Sequence, residues 1–190
     1  MEKDIGRFER EDFCGRATTV ARCLLGAILV RRIGERCYRL RITETEAYCG
    51  PHDRASHASR GRTARTAPMF GAAGTVYVYM IYGMHYCLNV VVGREGYPAA
   101  VLLRRAVALV PPGQSARTDG PGRLCRALKI DRALNFSDVT TSNALWIEKA
   151  APVPSVRIGR GKRIGVAYAG EWKDKKWRYY LKPETRNSKH

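Results

Sequence analysis

The chain has 190 residues, 45% hydrophobic and 27% charged, which suits one globular domain (1–190) with a sizeable core and excludes a disordered or fibrous polypeptide. Lysine and arginine number 34 against 17 acids, a formal net charge of +17, and a surplus of that size points to a polyanionic partner, nucleic acid first. No apolar run is long enough to span a membrane, and neither a basic amphipathic helix nor a lipidation site marks a membrane surface, so no membrane partner is expected. The polar start after Met1 has no apolar core of a signal peptide. The six cysteines, none in a CxxC pair, therefore read as free thiols of a cytoplasmic, nucleoid-associated or (in a eukaryote) nuclear protein.

Residues from about Glu11 to Val30 predict a helix, with Val20, Leu24 and Leu25 at helical spacing among alanines. After a turn at Gly34-Glu35, Tyr38 to Tyr48 alternates with period two and predicts a strand. It would place Tyr38, Leu40, Ile42, Glu44, Glu46 and Tyr48 on one face. His52 to Pro68 is a polar, basic loop carrying Arg54, Arg60, Arg62 and Arg65. Thr75 to Tyr82 and Cys87 to Val92 predict a hairpin turning at Gly83-Met84, and Ala99 to Ala106 a further strand with Arg104 and Arg105. Pro111 to Gly122 is a loop, expected to be mobile. Arg123 to Ile130 is a short helix, whose start at Asp119 to Gly122 offers free backbone N–H groups to phosphate. Ala144–Glu148, Arg163–Tyr168 and Trp177–Leu181 complete the strands. The fold class is mixed α/β, a strand-rich domain with short turns that favour antiparallel pairing.

Three groups of residues could carry chemistry. Glu44 and Glu46 flank Thr45 on a strand that also presents apolar side chains; a carboxylate beside apolar surface loses hydration, and its pKa rises toward the range of a general base. On these residues alone a strand end with both acids solvated or paired with arginine is the preferred reading, because Glu-x-Glu is common. Tyr77, Tyr79 and Tyr82 lie on the hairpin with His85 and Tyr86. A core strand explains Tyr77 well and Tyr82 poorly, because a large ring at a hairpin tip has little core to reach. A ring there suits wedging between bases or filling the gap left by an extruded nucleotide. The arginines of the 54–65 loop, with Arg104, Arg105 and Arg123, form a broad basic surface suited to phosphate contacts, although any one of them alone reads as a solvated charge. Asn89, inside an apolar strand, needs hydrogen-bond partners or a cavity. Spacings typical of metal ligands are absent; no metal and no cofactor is expected.

Several of these segments, in order along nearly the whole chain, resemble the alkyladenine (3-methyladenine) DNA glycosylase family. They are Glu44-Thr45-Glu46-Ala47-Tyr48, Gly50-Pro51 with His57 following, Met69-Phe70, and the long stretch Tyr77-Val78-Tyr79-Met80-Ile81-Tyr82-Gly83-Met84-His85-Tyr86-Cys87-Leu88-Asn89. Val101 to Ala106, Gly120 to Cys125, Arg163 to Val166 and Ala169-Gly170-Glu171-Trp172 continue the likeness. The resemblance implies a single domain with a curved antiparallel sheet, flanking helices and a protruding β-hairpin. It implies that Glu46 is the catalytic base, that Tyr48, His57 and Tyr79 contact the flipped base, and that Tyr82 intercalates into the duplex. It implies that Asn89 crowds the exocyclic amine of guanine and that Arg104 lies near the attacking water. Arg62, Arg65 and Arg123 are the candidate contacts to the DNA backbone. The partner is then double-stranded DNA with a damaged purine, and the enzyme is expected to act as a monomer without strand cleavage. Two other classes fit parts of the pattern: a non-catalytic damaged-DNA-binding module, and a metal-dependent nuclease using Glu44, Glu46 and Asp53. The loop from Pro111 to Gly120 is shorter than in vertebrate members, and the basic loop from Ser59 to Pro68 follows the family only loosely.

Overall fold

The computed structural model describes residues 6–110 and 117–183. Helices α1 (Arg10–Phe13) and α2 (Ala17–Cys23) precede strands β1 (Ile28–Ile33) and β2 (Arg36–Tyr48). Strands β3 (Val76–Ile81), β4 (His85–Val92) and β5 (Ala99–Val110) follow. Then come α3 (Pro121–Ala127), β6 (Leu145–Glu148), β7 (Ile158–Gly161) and β8 (Arg178–Leu181). All eight strands belong to one curled antiparallel sheet in the order β3-β4-β5-β2-β1-β6. The long β2 outruns β1 and pairs its C-terminal half with β8, which pairs with β7. Helices α2 and α3 close one face, over a core that includes Phe13, Leu24, Leu29, Ile42, Leu88, Leu103, Leu124 and Leu145.

The long helix expected over Glu11–Val30 is instead two short helices and a strand. The apolar run Leu24–Val30 has no period that separates helix from buried strand, and Gly26 decides between them. Its φ of +87° ends the helical path, and a Cβ there would sit 2.6 Å from the Val153 side chain. The strand expected at Arg163–Tyr168 is absent as well: the Ile164 amide is spent on a side chain rather than on a sheet neighbour, and residues Ala167–Asp174 form 3₁₀ turns. The eighth strand is β7, Ile-Gly-Arg-Gly, where the sequence predicts no element. The Tyr180 ring of β8 lies across Gly159 where a Cβ would be, so only glycine admits this pairing. The short helix expected from Arg123 begins two residues earlier, at Pro121. Residues 111–116 of the expected Pro111–Gly122 loop lie outside the described residues. All six cysteines are free thiols, and no helix among the described residues is long and apolar enough to cross a membrane.

Two irregularities in the β2–β5 ladder set up everything that follows. Ile42 pairs with Ala106, Glu44 with Arg105 and Thr45 with Leu103, so Thr43 on β2 and Arg104 on β5 are extra residues. A one-residue bulge reverses which side the later residues face. Leu40 and Ile42 point into the core, and beyond the bulge so do Thr45, whose hydroxyl donates to Ala21 O of α2 at 2.7 Å, and Ala47. Glu44, Glu46 and Tyr48 are thereby turned to the face opposite Leu40 and Ile42. Strict alternation had put all of them on one side.

Candidate active site

Strands β2, β3, β4 and β5 present their second face to a cavity of about 480 Å³, closed by the segment 55–69 on one side and by 164–168 on another. Tyr48, His57, Tyr79, Arg104 and Leu102 line it. Tyr82 stands at its mouth.

Glu46 lies fully buried behind three of the lining residues, Tyr48, Arg104 and Ile164. Its Oε1 accepts the Ile164 N–H at 2.8 Å and lies 3.3 Å from an Arg104 terminal nitrogen; its Oε2 accepts the Tyr48 hydroxyl at 2.9 Å. A carboxylate offers about four lone-pair positions, and among the described residues Oε2 accepts from Tyr48 alone. Burial raises the pKa of Glu46, and the Arg104 charge and the two hydrogen bonds hold back part of that rise. The Tyr48 hydroxyl is pushed well up by burial and by the neighbouring carboxylate, so it stays protonated and acts as a donor.

The bulge at Arg104 aims its guanidinium along this face. Nε donates to Glu44 Oε1 at 3.1 Å, and that oxygen also accepts from Arg178 of β8 at 3.1 Å. Glu44 is thus the anchor of Arg104, which reaches Glu46 with its other arm. Asp53, grouped in sequence with Glu44 and Glu46 in the nuclease alternative, is held elsewhere. Both of its oxygens accept from Arg163, at 2.5 and 2.8 Å, in an ion pair with no solvent exposure on either side. Among the described residues no three His, Cys, Asp or Glu side chains are grouped closely enough to hold a metal ion.

The aromatic wall is just as ordered. The His57 and Tyr79 rings meet edge to face with centroids 4.4 Å apart, and His57 Nδ1 lies 3.0 Å from the Tyr77 hydroxyl. Burial, with Arg65 nearby, pushes His57 down to about 4, so the imidazole is uncharged at neutral pH. Burial pushes the Tyr77 hydroxyl up to about 12 and Tyr79 higher still. On the other side, the Arg163 guanidinium is packed between the rings of Tyr48 and Trp177, 4.9 and 5.0 Å from their centroids.

Tyr82 occupies the hairpin tip with Gly83 and Met84, 85% exposed and at φ +51°, a conformation costing a non-glycine residue roughly 1–2 kcal/mol. Asn89 is buried one step beyond Cys87 on the cavity side of β4. Its Nδ2 donates to Tyr77 O at 3.0 Å, and it lies beneath the floor rather than in the lining. Arg65 sits on the rim over Tyr79. Arg62 lies over Phe70, and Arg123 is engaged by the Asp119 carboxylate at 3.0 Å at the start of α3. Sequence reasoning missed Arg163 as a partner of Asp53, the Ile164 amide and the exposed Tyr168 at the rim. Their one signal was the run Arg163-Ile164-Gly165-Val166, which reads as strand.

Comparison with known proteins agrees with this geometry. The family model described as methylpurine-DNA glycosylase matches residues 11–185. Proteins named as 3-methyladenine DNA glycosylases are similar to the chain along most of their length. One from Myxococcus xanthus is 50% identical over 182 residues, 94% of this chain and 92% of the relative. One from Methanocella arvoryzae is 47% identical over 183 residues, 90% of each. One from Natranaerobius thermophilus is 37% identical over 195 aligned positions, 96% of each. With the buried carboxylate, the aromatic cavity and a family match of this extent, the chain belongs to the methylpurine-DNA glycosylase family, hydrolases acting on N-glycosyl bonds.

Proposed function

We propose that this protein binds duplex DNA, extrudes an alkylated or deaminated purine of the 3-methyladenine, 7-methylguanine or hypoxanthine type, and hydrolyses its N-glycosidic bond with water activated by Glu46. The observation that carries this reading is the fully buried Glu46, held by Tyr48, Arg104 and Ile164, all three of which line a cavity also walled by His57 and Tyr79. A water bonded to Oε2 loses a proton to Glu46 as its oxygen attacks C1′; the C1′–N bond breaks and its electron pair leaves with the purine. An N3- or N7-alkylated purine is cationic, stacks favourably on electron-rich rings and leaves as a neutral base. Uncharged His57 puts no opposing charge beside it. Arg104, tied back to Glu44, orients the water and the sugar-phosphate. No lysine is found among the described residues lining the cavity, which supports hydrolysis without a Schiff base or strand cleavage.

The test is base release from a duplex carrying one hypoxanthine or 3-methyladenine, in EDTA. Free base and an intact abasic strand are expected from a monomeric enzyme. Binding without release from either lesion would turn the protein into a damage-binding module, and strand breaks that require a divalent metal would make it a nuclease.

Tyr82 acts as the wedge that replaces the extruded nucleotide. Stacking of a base on such a ring is worth roughly 1–3 kcal/mol, and the tip holds it in a strained conformation without packing. Tyr82→Gly is therefore expected to leave the melting temperature unchanged or higher, because glycine accepts positive φ. Excision should fall by about tenfold or more. A variant that excises at the wild-type rate removes the wedge role.

A further inference from the structure

A second concavity, about 590 Å³, adjoins the base cavity and shares Ser56, His57, Arg65 and Tyr168 with it. Its own walls carry Arg54, Arg60, Ser59 and Thr63, and no acid lines it. Arg54, Arg60 and Arg65 make no ion pair with a carboxylate among the described residues, whereas the adjacent Asp53 is wholly taken by Arg163. The loop that bears them is held in shape. The Ser56 hydroxyl accepts from Ala58 N, and Thr66 Oγ1 accepts from Thr63 N at 2.8 Å and donates to Gly61 O at 3.0 Å. Three guanidiniums sharing one preorganised, acid-free hollow repel one another until an anion enters.

We infer that this hollow is a phosphodiester site for the strand that carries the extruded nucleotide, and this rests on the function proposed above. Its place carries the distinction. The hollow shares Ser56, His57, Arg65 and Tyr168 with the base cavity, so the backbone within its reach is that of the nucleotide whose base fills the cavity. The site therefore engages in the extruded complex and contributes little to scanning of undamaged DNA. Sequence-independent phosphate contacts of this kind position the strand.

The experiment compares Arg54→Gln/Arg60→Gln with wild type, both carrying Glu46→Gln to block turnover. Binding is measured on a hypoxanthine duplex and on the undamaged duplex over a range of salt. About tenfold weaker binding to the hypoxanthine duplex is expected, with a salt slope shallower by about 2 for two lost phosphate contacts. Affinity and slope on undamaged duplex should stay within about twofold. Equal loss on both duplexes makes the arginines ordinary surface contacts, and no loss on either makes them solvated charges; each result overturns the proposal. Inorganic phosphate alone, followed by the guanidinium NMR signals of Arg54 and Arg60, separates the other source of the same chemistry. Saturation at millimolar phosphate would assign the hollow to the free ion and overturn the strand assignment. Base release by the protein with Glu46 intact is scored on the same hypoxanthine duplex. Failure there sinks the function, whereas release without a lesion-selective loss sinks the hollow alone.

Discussion

Glu46→Gln is expected to bind a hypoxanthine duplex as tightly as wild type and to release base about 10²–10⁴-fold more slowly, the usual contribution of a positioned general base. The substitution is conservative in shape. A glutamine carbonyl still accepts from the Ile164 amide and faces Arg104, and Arg104 keeps its bond to Glu44, so the cavity floor and the melting temperature should be preserved. Single-turnover base release checks this, and a variant within about tenfold of wild type removes Glu46 as the base. The pH profile adds a second reading of the same residue. Burial raises the pKa of Glu46, and a base works only when ionised, so the rate should fall with decreasing pH along a limb centred above the ordinary glutamate value. The Tyr48 hydroxyl bond favours the ionised form. Tyr48→Phe should therefore move that limb to higher pH, and a shift to lower pH would contradict the arrangement.

The other large effect is expected at the Asp53–Arg163 pair. Breaking a buried ion pair from one side commonly costs about 3–5 kcal/mol because the remaining charge has no water and no partner. Asp53→Asn or Arg163→Met should lower thermal stability accordingly, measurable by denaturant unfolding. The pair also holds the candidate site together. Arg163 supports the Tyr48 ring from behind, donates to Ala47 O at 3.0 Å and places the next amide, Ile164 N, on Glu46. The double variant Asp53→Leu/Arg163→Met removes both charges and should recover much of the stability. It should remain slow in base release, with its acid limb displaced upward because the Ile164 bond to Glu46 is loosened. Full recovery of rate along with stability would make the pair purely structural.

How much of this was legible in the sequence differs residue by residue. The β3–β4 hairpin, with Tyr77 and Tyr79 on one face and Tyr82 at its tip, could be read locally, since two strands joined by a glycine-bearing turn specify their own register. Gly26 and the apolar run it interrupts could not, because a short buried strand and a buried helical segment share a composition. Strand β7 stayed hidden because its two glycines make sense only once the Tyr180 ring lies across one of them.

The sequence by itself determined the charge that calls for a polyanion, the strand-rich fold class, the aromatic hairpin and the identity of Glu46, Tyr48, His57, Tyr79 and Tyr82 as candidates. The first three are properties of composition or of neighbours within a few positions; the five residues were singled out through the family resemblance of the segments that carry them. Tertiary structure alone decided which way the carboxylates face. The bulges at Thr43 and Arg104 arise from the pairing of β2 with β5, some 60 residues apart in the chain, and they turn Glu44 and Glu46 to the face opposite Leu40 and Ile42. It also decided their partners, since Asp53 meets Arg163 across 110 residues, Glu46 meets Ile164 across 118 and Glu44 meets Arg178 across 134. A periodic pattern records which residues could be buried. Only the curled sheet, by bringing distant donors to each buried acid, determines which is tied into an ion pair, as Asp53 is with Arg163, and which accepts single hydrogen bonds from Ile164 and Tyr48, as Glu46 does.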